Sequence, residues 1–183
     1  MLRRDAAARR DALPAKARAA AARAIATREF PLPVSGGVIV SGFMPLKSEI
    51  NPLPLMQKLA EQGAGLALPR IVSRGKPLSM RAWQFGGPLD RGQWGIREPQ
   101  PDAPEVDPDI LLVPLLAFDR AGYRIGYGAG YYDTTIARLR SLKKITAIGI
   151  AFAVQEVADI PKTPRDERLD LVLTERETID LSH

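Results

Sequence analysis

The chain has 183 residues, no cysteine and one histidine, His183 at the very end. Those counts exclude disulfides, thiolate nucleophiles, iron–sulfur clusters and cysteine-ligated zinc, and they argue against a Ser-His-Asp triad, a histidine base or a His-ligated metal. The net charge of +5 is local: residues 1–30 hold eight basic groups against three acidic ones, and the rest of the chain balances.

The chemistry left to such a chain uses carboxylates, Lys and Arg, Tyr, backbone amides, or a hard cation held by oxygens. Mg²⁺ paired with a phosphate-bearing substrate fits that short set. The apolar fraction of 45% and the abundance of both charge signs mark a globular protein, and the length suits one domain, 1–183. No apolar run is long enough for a bilayer, and the basic N-terminus is not followed by an apolar stretch of signal-peptide type. The expectation is a cytoplasmic protein without a membrane partner. The basic N-terminus carries no aromatic residue and no RNA-binding motif, so no nucleic-acid partner is expected.

In chain order, residues 2–28 read as a basic, alanine-rich helical segment broken near Pro14. Residues 37–43 (GVIVSGF) form a β-branched strand that runs into a loop at 44–51. Residues 52–62 read as helix, 66–69 as a short strand, and 78–83 as a strand with one solvated face. Residues 86–109 are rich in Pro, Gly and Asp and read as an irregular connection containing Trp94; a connection that long is often functional. Residues 110–113 (ILLV) are a buried strand, 131–142 a helix, 145–151 a strand, 154–157 a helical turn, and 169–174 a last strand. Alternating strands and helices predict a three-layer α/β/α domain with a mostly parallel central sheet. Ligands of such sheets sit beyond the carboxyl ends of the strands, where the loops 44–51 and 114–130 fall.

The stretch from 122 to 133, GYRIGYGAGYYD, carries Gly126, Gly128 and Gly130 at alternate positions and leads into a helix. A glycine-rich turn at a helix start aims backbone N–H groups and the positive helix end at one point, which suits a phosphate. Neither the dinucleotide fingerprint nor the Walker pattern is matched. A ligand-free tight turn is the bland alternative, and Arg124, the tyrosines and Asp133 in the same stretch count against it.

That stretch, with Pro114-Leu-Leu-Ala-Phe-Asp119 ahead of it, resembles the signature of the 5-formyltetrahydrofolate cyclo-ligase family. Further likenesses are Leu2-Arg3 opening a basic helix, the loop from Phe43 to Glu49, Gly95-Ile-Arg-Glu-Pro99, and the Arg165-Asp166 to Leu169-Asp170 element. The resemblance implies ATP-dependent conversion of 5-formyltetrahydrofolate to 5,10-methenyltetrahydrofolate with release of ADP and phosphate. It implies that Arg3, Arg124, Gly126, Tyr127, Gly128, Ala129, Gly130, Tyr131 and Tyr132 surround ATP. It implies that Met44 and Glu49 contact the substrate, together with Tyr127, Gly128, Ala129, Gly130 and Tyr131. Asp133 and Asp170 would face Mg²⁺, and the enzyme would be a monomer.

The chain departs from the family pattern in three places. A family lysine ahead of the first Leu-Arg has no place before Leu2, so either the chain begins further upstream or Arg3 and Arg4 take that phosphate contact. Ala129 stands where glycine or lysine is common. Arg165 and Arg168 replace a histidine and a proline, and Arg165 is given no role. Glu49 has a bland reading as a cap for the helix after Pro52, and Asp170 as the end of a turn. Trp94 is expected either to stack on a ring of the substrate or to cover a core edge. A non-catalytic nucleotide- or phosphate-binding module and a related ligase for a non-folate substrate are the alternatives.

Overall fold

The structure is a computed structural model that describes residues 1–182; His183 lies outside the described residues. The chain opens with two helices, α1 (Leu2–Asp11) and α2 (Ala15–Thr27). Their alanine content favours helix, and Pro14 breaks the run by entering α2 as its N-cap, where its missing N–H costs nothing.

Then come β1 (Ile39–Ser41), α3 (Leu53–Glu61), β2 (Gly65–Arg70) and β3 (Ser79–Ala82). The connection at 86–109 is not wholly irregular: it folds a small hairpin, β4 (Asp90–Arg91) and β5 (Arg97–Glu98), around a 3₁₀ turn at Gln93–Gly95. The buried Glu98 explains that hairpin, because Arg70 pairs with it at 3.2 Å and also donates to the Pro99 carbonyl at 2.8 Å. Next is β6 (Ile110–Val113), followed by a second hairpin, β7 (Ala117–Phe118) and β8 (Arg124–Ile125), that the sequence pattern does not announce. The helix α4 (Tyr131–Leu142), β9 (Thr146–Ile150), a 3₁₀ turn at Ala153–Gln155, and β10 (Leu171–Leu173) complete the predicted order. The strand at 171–173 is not the last one: β11 (Thr178–Asp180) folds back antiparallel to it.

The main sheet has seven strands in the order β11-β10-β9-β6-β1-β2-β3. The five inner strands are parallel and the two edge pairings, β2–β3 and β10–β11, are antiparallel. From β1 the chain moves outward to β2 and β3. It then returns to the other side of β1 and moves outward again through β6, β9 and β10. The order therefore reverses between β1 and β6, which places a crevice beyond their carboxyl ends.

The two faces of the sheet separate by the alternation of the strands. Ile110 and Leu112 join Val40, Leu66 and Ile148 under α2 and α3. Leu111 and Val113 join Ala147 and Val172 under α4, through Ile136 and Leu139. Leu111 and Leu112 are wholly buried, worth about 1.5–3 kcal/mol apiece relative to exposure. A third, smaller cluster seats α1 on the β7–β8 hairpin: Ala6 packs with Leu116, Ala117, Ile125 and Ile160. No helix among the described residues is long and apolar enough to cross a membrane.

Candidate functional site

Four segments meet at the β1–β6 crevice: α1, the loop after β1, the glycine-rich turn after β8, and the first turn of α4. Asp119 fixes the hairpin that delivers the turn. It is buried and accepts from the backbone N–H groups of Ala121, Tyr123 and Ile160 at 3.0 Å each. The conspicuous aspartate ahead of the turn is thus a brace for the loop.

The turn itself demands glycine at two places. Gly128 has φ of 98° and Gly130 φ of 71°, the left-handed region that side-chain-bearing residues rarely adopt. Gly130 is the N-cap of α4 and brings no capping side chain, so the first N–H groups of the helix stay unsatisfied by side chains. Tyr127, Gly128, Ala129 and Gly130 are exposed. The result is an exposed run of backbone N–H groups at a positive helix end, an arrangement suited to phosphate.

Helix α1 closes over this turn. The Arg3 Nε donates to the Gly126 carbonyl at 3.1 Å, and its guanidinium lies against Gly128, where an added Cβ would stand 3.6 Å from Cζ. Two turns further along the same face is Arg10. It is only 2% exposed, and sequence reasoning did not single it out. Its Nε donates to the Ser48 hydroxyl at 2.9 Å, and its Nη1 donates to the Tyr127 hydroxyl at 2.9 Å. Ser48 donates in turn to the Asp11 carboxylate. The signal that marks Arg10 is its spacing: Arg3, Ala6 and Arg10 share one helix face, and Ala6 is the residue buried on the hairpin.

Glu49 completes the network from the other side. Its Oε2 accepts from the Leu46 N–H at 2.8 Å, and the Tyr127 hydroxyl stands near enough to affect its ionisation. It does not cap α3, whose N-cap is Pro52; Asn51 Oδ1 accepts from the Leu53 N–H at 3.0 Å. Burial pushes the Glu49 carboxyl above its ordinary range, against the lowering effects of the Leu46 N–H, the Tyr127 hydroxyl and the Arg10 charge. Withdrawal from water, and then the Glu49 charge, push the Tyr127 hydroxyl up to about 12. Tyr132 is pushed up as well, by burial first and the Glu49 charge second. Both tyrosines therefore stay neutral, and Tyr127 serves as a hydrogen-bonding group toward Arg10. Tyr131 and Tyr132 also pack against the α4-side core, and Met44 packs against the α2–α3 side.

Arg124 and Asp133 form a pair behind the turn. Arg124 Nη2 donates to Asp133 Oδ1 at 2.8 Å, its Nη1 donates to the Glu167 carbonyl at 2.8 Å, and its side chain is 5% exposed. Asp133 Oδ1 also accepts from the Glu167 N–H at 3.0 Å. Asp170 is held separately: its Oδ2 accepts from the Ala147 N–H at 2.8 Å and from Arg140 Nη2 at 3.1 Å. Arg140 also binds the Glu167 carboxylate at 2.7 Å. The two carboxylates are therefore joined through Glu167 and held by different cations. Among the described residues no group of three or more His, Cys, Asp or Glu is placed to hold a metal ion. The residues present fit a Mg²⁺ that arrives with a nucleotide, most of its ligands being phosphate oxygens and water, with one or two carboxylates from the chain.

Trp94 stands apart from the core. It is 68% exposed, with φ of 56°, at the tip of the β4–β5 hairpin. It covers no core edge. Beside Glu49, a cleft of about 370 Å³ opens between α2 and the 45–54 segment.

A doubly wound α/β sheet with a glycine-rich turn opening a helix at its switch point, beside a half-buried carboxylate, has the arrangement of the class of proteins that bind phosphorylated ligands. The model of the 5-formyltetrahydrofolate cyclo-ligase family matches residues 1–175. The 5-formyltetrahydrofolate cyclo-ligase of Mycolicibacterium smegmatis is 34% identical over 151 residues, which is 78% of this chain and 76% of that protein. The Escherichia coli K12 protein of the same name is 31% identical over 148 residues, 78% of this chain and 80% of its own length. The solution structure of Aquifex aeolicus 5,10-methenyltetrahydrofolate synthetase superposes with a TM-score of 0.79 at 27% identity, covering 100% of this chain and 92% of that one. The chain belongs to the 5-formyltetrahydrofolate cyclo-ligase family.

Proposed function

We propose that this protein converts 5-formyltetrahydrofolate to 5,10-methenyltetrahydrofolate, consuming ATP and releasing ADP and phosphate. One observation carries the reading: Arg10 donates to the Tyr127 hydroxyl on the glycine-rich turn and to Ser48 on the loop after β1, next to Glu49. In this reading a phosphate site and a carboxylate suited to a pterin stand side by side.

The chemistry needs no histidine or thiol. The formyl oxygen attacks the γ-phosphorus of ATP, the bond to ADP breaks, and the formyl carbon becomes an activated formyl phosphate. N10 attacks that carbon and closes the five-membered ring, and phosphate leaves with the former formyl oxygen and takes up the proton lost from N10. The protein's work is to position the reactants and stabilise charge. In this reading the N–H groups of 127–130 and the start of α4 bind the phosphates, with Arg3 supplying positive charge beside them. Glu49 accepts the paired ring N–H and amino donors of the pterin, with Met44 beside it. Tyr127 and Tyr131 border both ligands, Tyr132 stands behind Glu49, and Arg124 holds Asp133 in position. Asp133 and Asp170 are the carboxylates offered to Mg²⁺, which would neutralise phosphate charge. We propose further that the chain works as a single-domain cytoplasmic monomer.

The test is the ultraviolet absorbance of methenyltetrahydrofolate with ADP measured in parallel. One ADP per methenyl product, dependent on 5-formyltetrahydrofolate, is expected. ADP release that ignores the folate, or none at all, overturns the proposal in favour of a ligase for another substrate or a non-catalytic nucleotide-binding module.

A further inference from the structure

Helix α1 reaches both walls of the crevice, yet it is lightly attached to the rest of the fold. Its buried residues are Ala6 and Arg10. Ala6, with Leu2 and Ala7 partly buried beside it, makes a small apolar contact with the β7–β8 hairpin. The long-range attachments that remain are polar: Arg3 to the Gly126 carbonyl, and Arg10 to Tyr127 and Ser48. The helix ends at its C-cap Ala12 and α2 starts afresh at Pro14, so the two are not one rigid rod. An element with so little buried apolar surface belongs to the low-stability end of a fold.

The partners of Arg10 are unusual for a buried cation. Arg124, behind the turn, is neutralised by Asp133. Arg10, 2% exposed, donates instead to two hydroxyls at 2.9 Å each, one from each wall. Tyr127 belongs to the glycine-rich turn, and Ser48 to the loop that carries Glu49. Ser48 is itself buried and donates back to Asp11, the neighbour of Arg10. If either wall moves away, a buried guanidinium loses a partner, which is costly. The arrangement is therefore stable with both walls in place and poor with only one.

We propose that Arg10 is a positioning residue that couples the two ligands: binding at either wall docks α1, and the docked helix holds the other wall ready. The inference rests on the reading of the crevice as a nucleotide site beside a folate site. In that reading the folate touches no residue of α1, and the nucleotide touches the helix only through Arg3. Communication runs from the turn through Tyr127 and Arg10 to Ser48 and the loop. The first ligand bears the cost of ordering α1 and its partners, and the second binds without it. The coupling is reciprocal, so the nucleotide strengthens folate binding by the same factor as the folate strengthens nucleotide binding.

The experiment is calorimetric titration of 5-formyltetrahydrofolate with and without saturating β,γ-imido ATP and Mg²⁺, and the reverse titration. In the wild type each ligand is expected to raise the affinity of the other by about fivefold to fiftyfold. Ser48→Ala removes the folate-side arm of the bridge without altering a residue assigned to either ligand. It should bind each ligand alone nearly as the wild type does, and lose most of the coupling. Hydrogen exchange of the wild type gives a readout that needs no variant. Either ligand alone should slow exchange of the backbone amides of residues 5–11, the folate included although it touches none of them. The inference is overturned if the two wild-type affinities are independent, or if the folate alone leaves exchange in α1 unchanged. It is overturned as well if Ser48→Ala keeps the coupling, which would then come from direct contact between the ligands. Folate that binds without coupling sinks the inference and leaves the folate reading standing. If the wild type binds no 5-formyltetrahydrofolate at all, the folate reading fails and the inference falls with it.

Discussion

The Arg10 guanidinium donates to the Tyr127 hydroxyl at 2.9 Å and lies 5.8 Å from the centroid of the same ring. Through this pair the N-terminal helix grips the tip of the glycine-rich turn, and through Ser48 it grips the loop that carries Glu49. A buried guanidinium with two directed hydrogen bonds cannot be replaced by a point charge on a flexible stem. Arg10→Lys is expected to lose one of the two contacts, lowering stability by about 1–3 kcal/mol. The KM for both substrates should rise together, because both walls of the crevice depend on this residue. Denaturant unfolding and steady-state kinetics check this; a rise confined to one substrate would assign Arg10 to that ligand alone.

Glu49 gives a pH dependence with a definite sign. Its folded-state pKa is raised by burial, so ionisation costs the free protein some stability as the pH rises through that pKa. Below the unfolded-state pKa of the carboxyl this penalty is absent. Glu49→Gln should therefore unfold no earlier than wild type at pH 8, and should flatten the loss of stability with rising pH. Binding runs the other way. The pterin donors need the carboxylate, so folate affinity should fall as the pH drops through the Glu49 pKa, and the variant should lack that dependence. Thermal melts and folate titrations across pH 4–8 test both halves.

Asp133 serves both the fold and the proposed metal. It anchors the 165–168 segment through Arg124 and the Glu167 N–H, and in the proposed reading its other oxygen would face Mg²⁺. In Asp133→Asn the amide oxygen can still accept from the Glu167 N–H, so the fold should survive with a loss of about 1–3 kcal/mol from the weakened pair with Arg124. Turnover should drop severely, and saturation should need more Mg²⁺. Full activity of the variant, or of the wild type in excess chelator, would remove the metal from the proposal.

Much of the architecture was legible because it follows from period and composition. The ILLV run at 110–113 reads as a buried strand, and the structure puts its residues alternately into the two cores. The turn at 126–130 reads as a candidate phosphate site because its glycines precede a helix start and share the stretch with Arg124, the tyrosines and Asp133. The β7–β8 hairpin was not legible: each strand has two residues, and its anchor is Asp119 accepting from three N–H groups, one of them at Ile160. β11 was missed for a similar reason, being three residues after a turn. Arg10 was hidden among eight basic residues in the first thirty, where charge alone does not tell a buried cation from solvated ones. Its burial depends on loops that close over α1 from distant parts of the chain. Local spacing gives the face it lies on, but not what covers that face.

The central claim is that one crevice holds two ligands, the nucleotide on the Arg3 side of the turn and the folate on the Glu49 side. Isothermal titration of Arg3→Ala and Glu49→Gln with each ligand separates the two sides. Removing an acceptor that the pterin donors require costs about 1–3 kcal/mol, roughly tenfold to hundredfold in affinity. The expected result is that Glu49→Gln weakens 5-formyltetrahydrofolate by that factor and leaves ATP nearly unchanged, while Arg3→Ala weakens ATP and leaves the folate nearly unchanged. Equal weakening of both ligands in either variant, or unchanged folate affinity in Glu49→Gln, would contradict it.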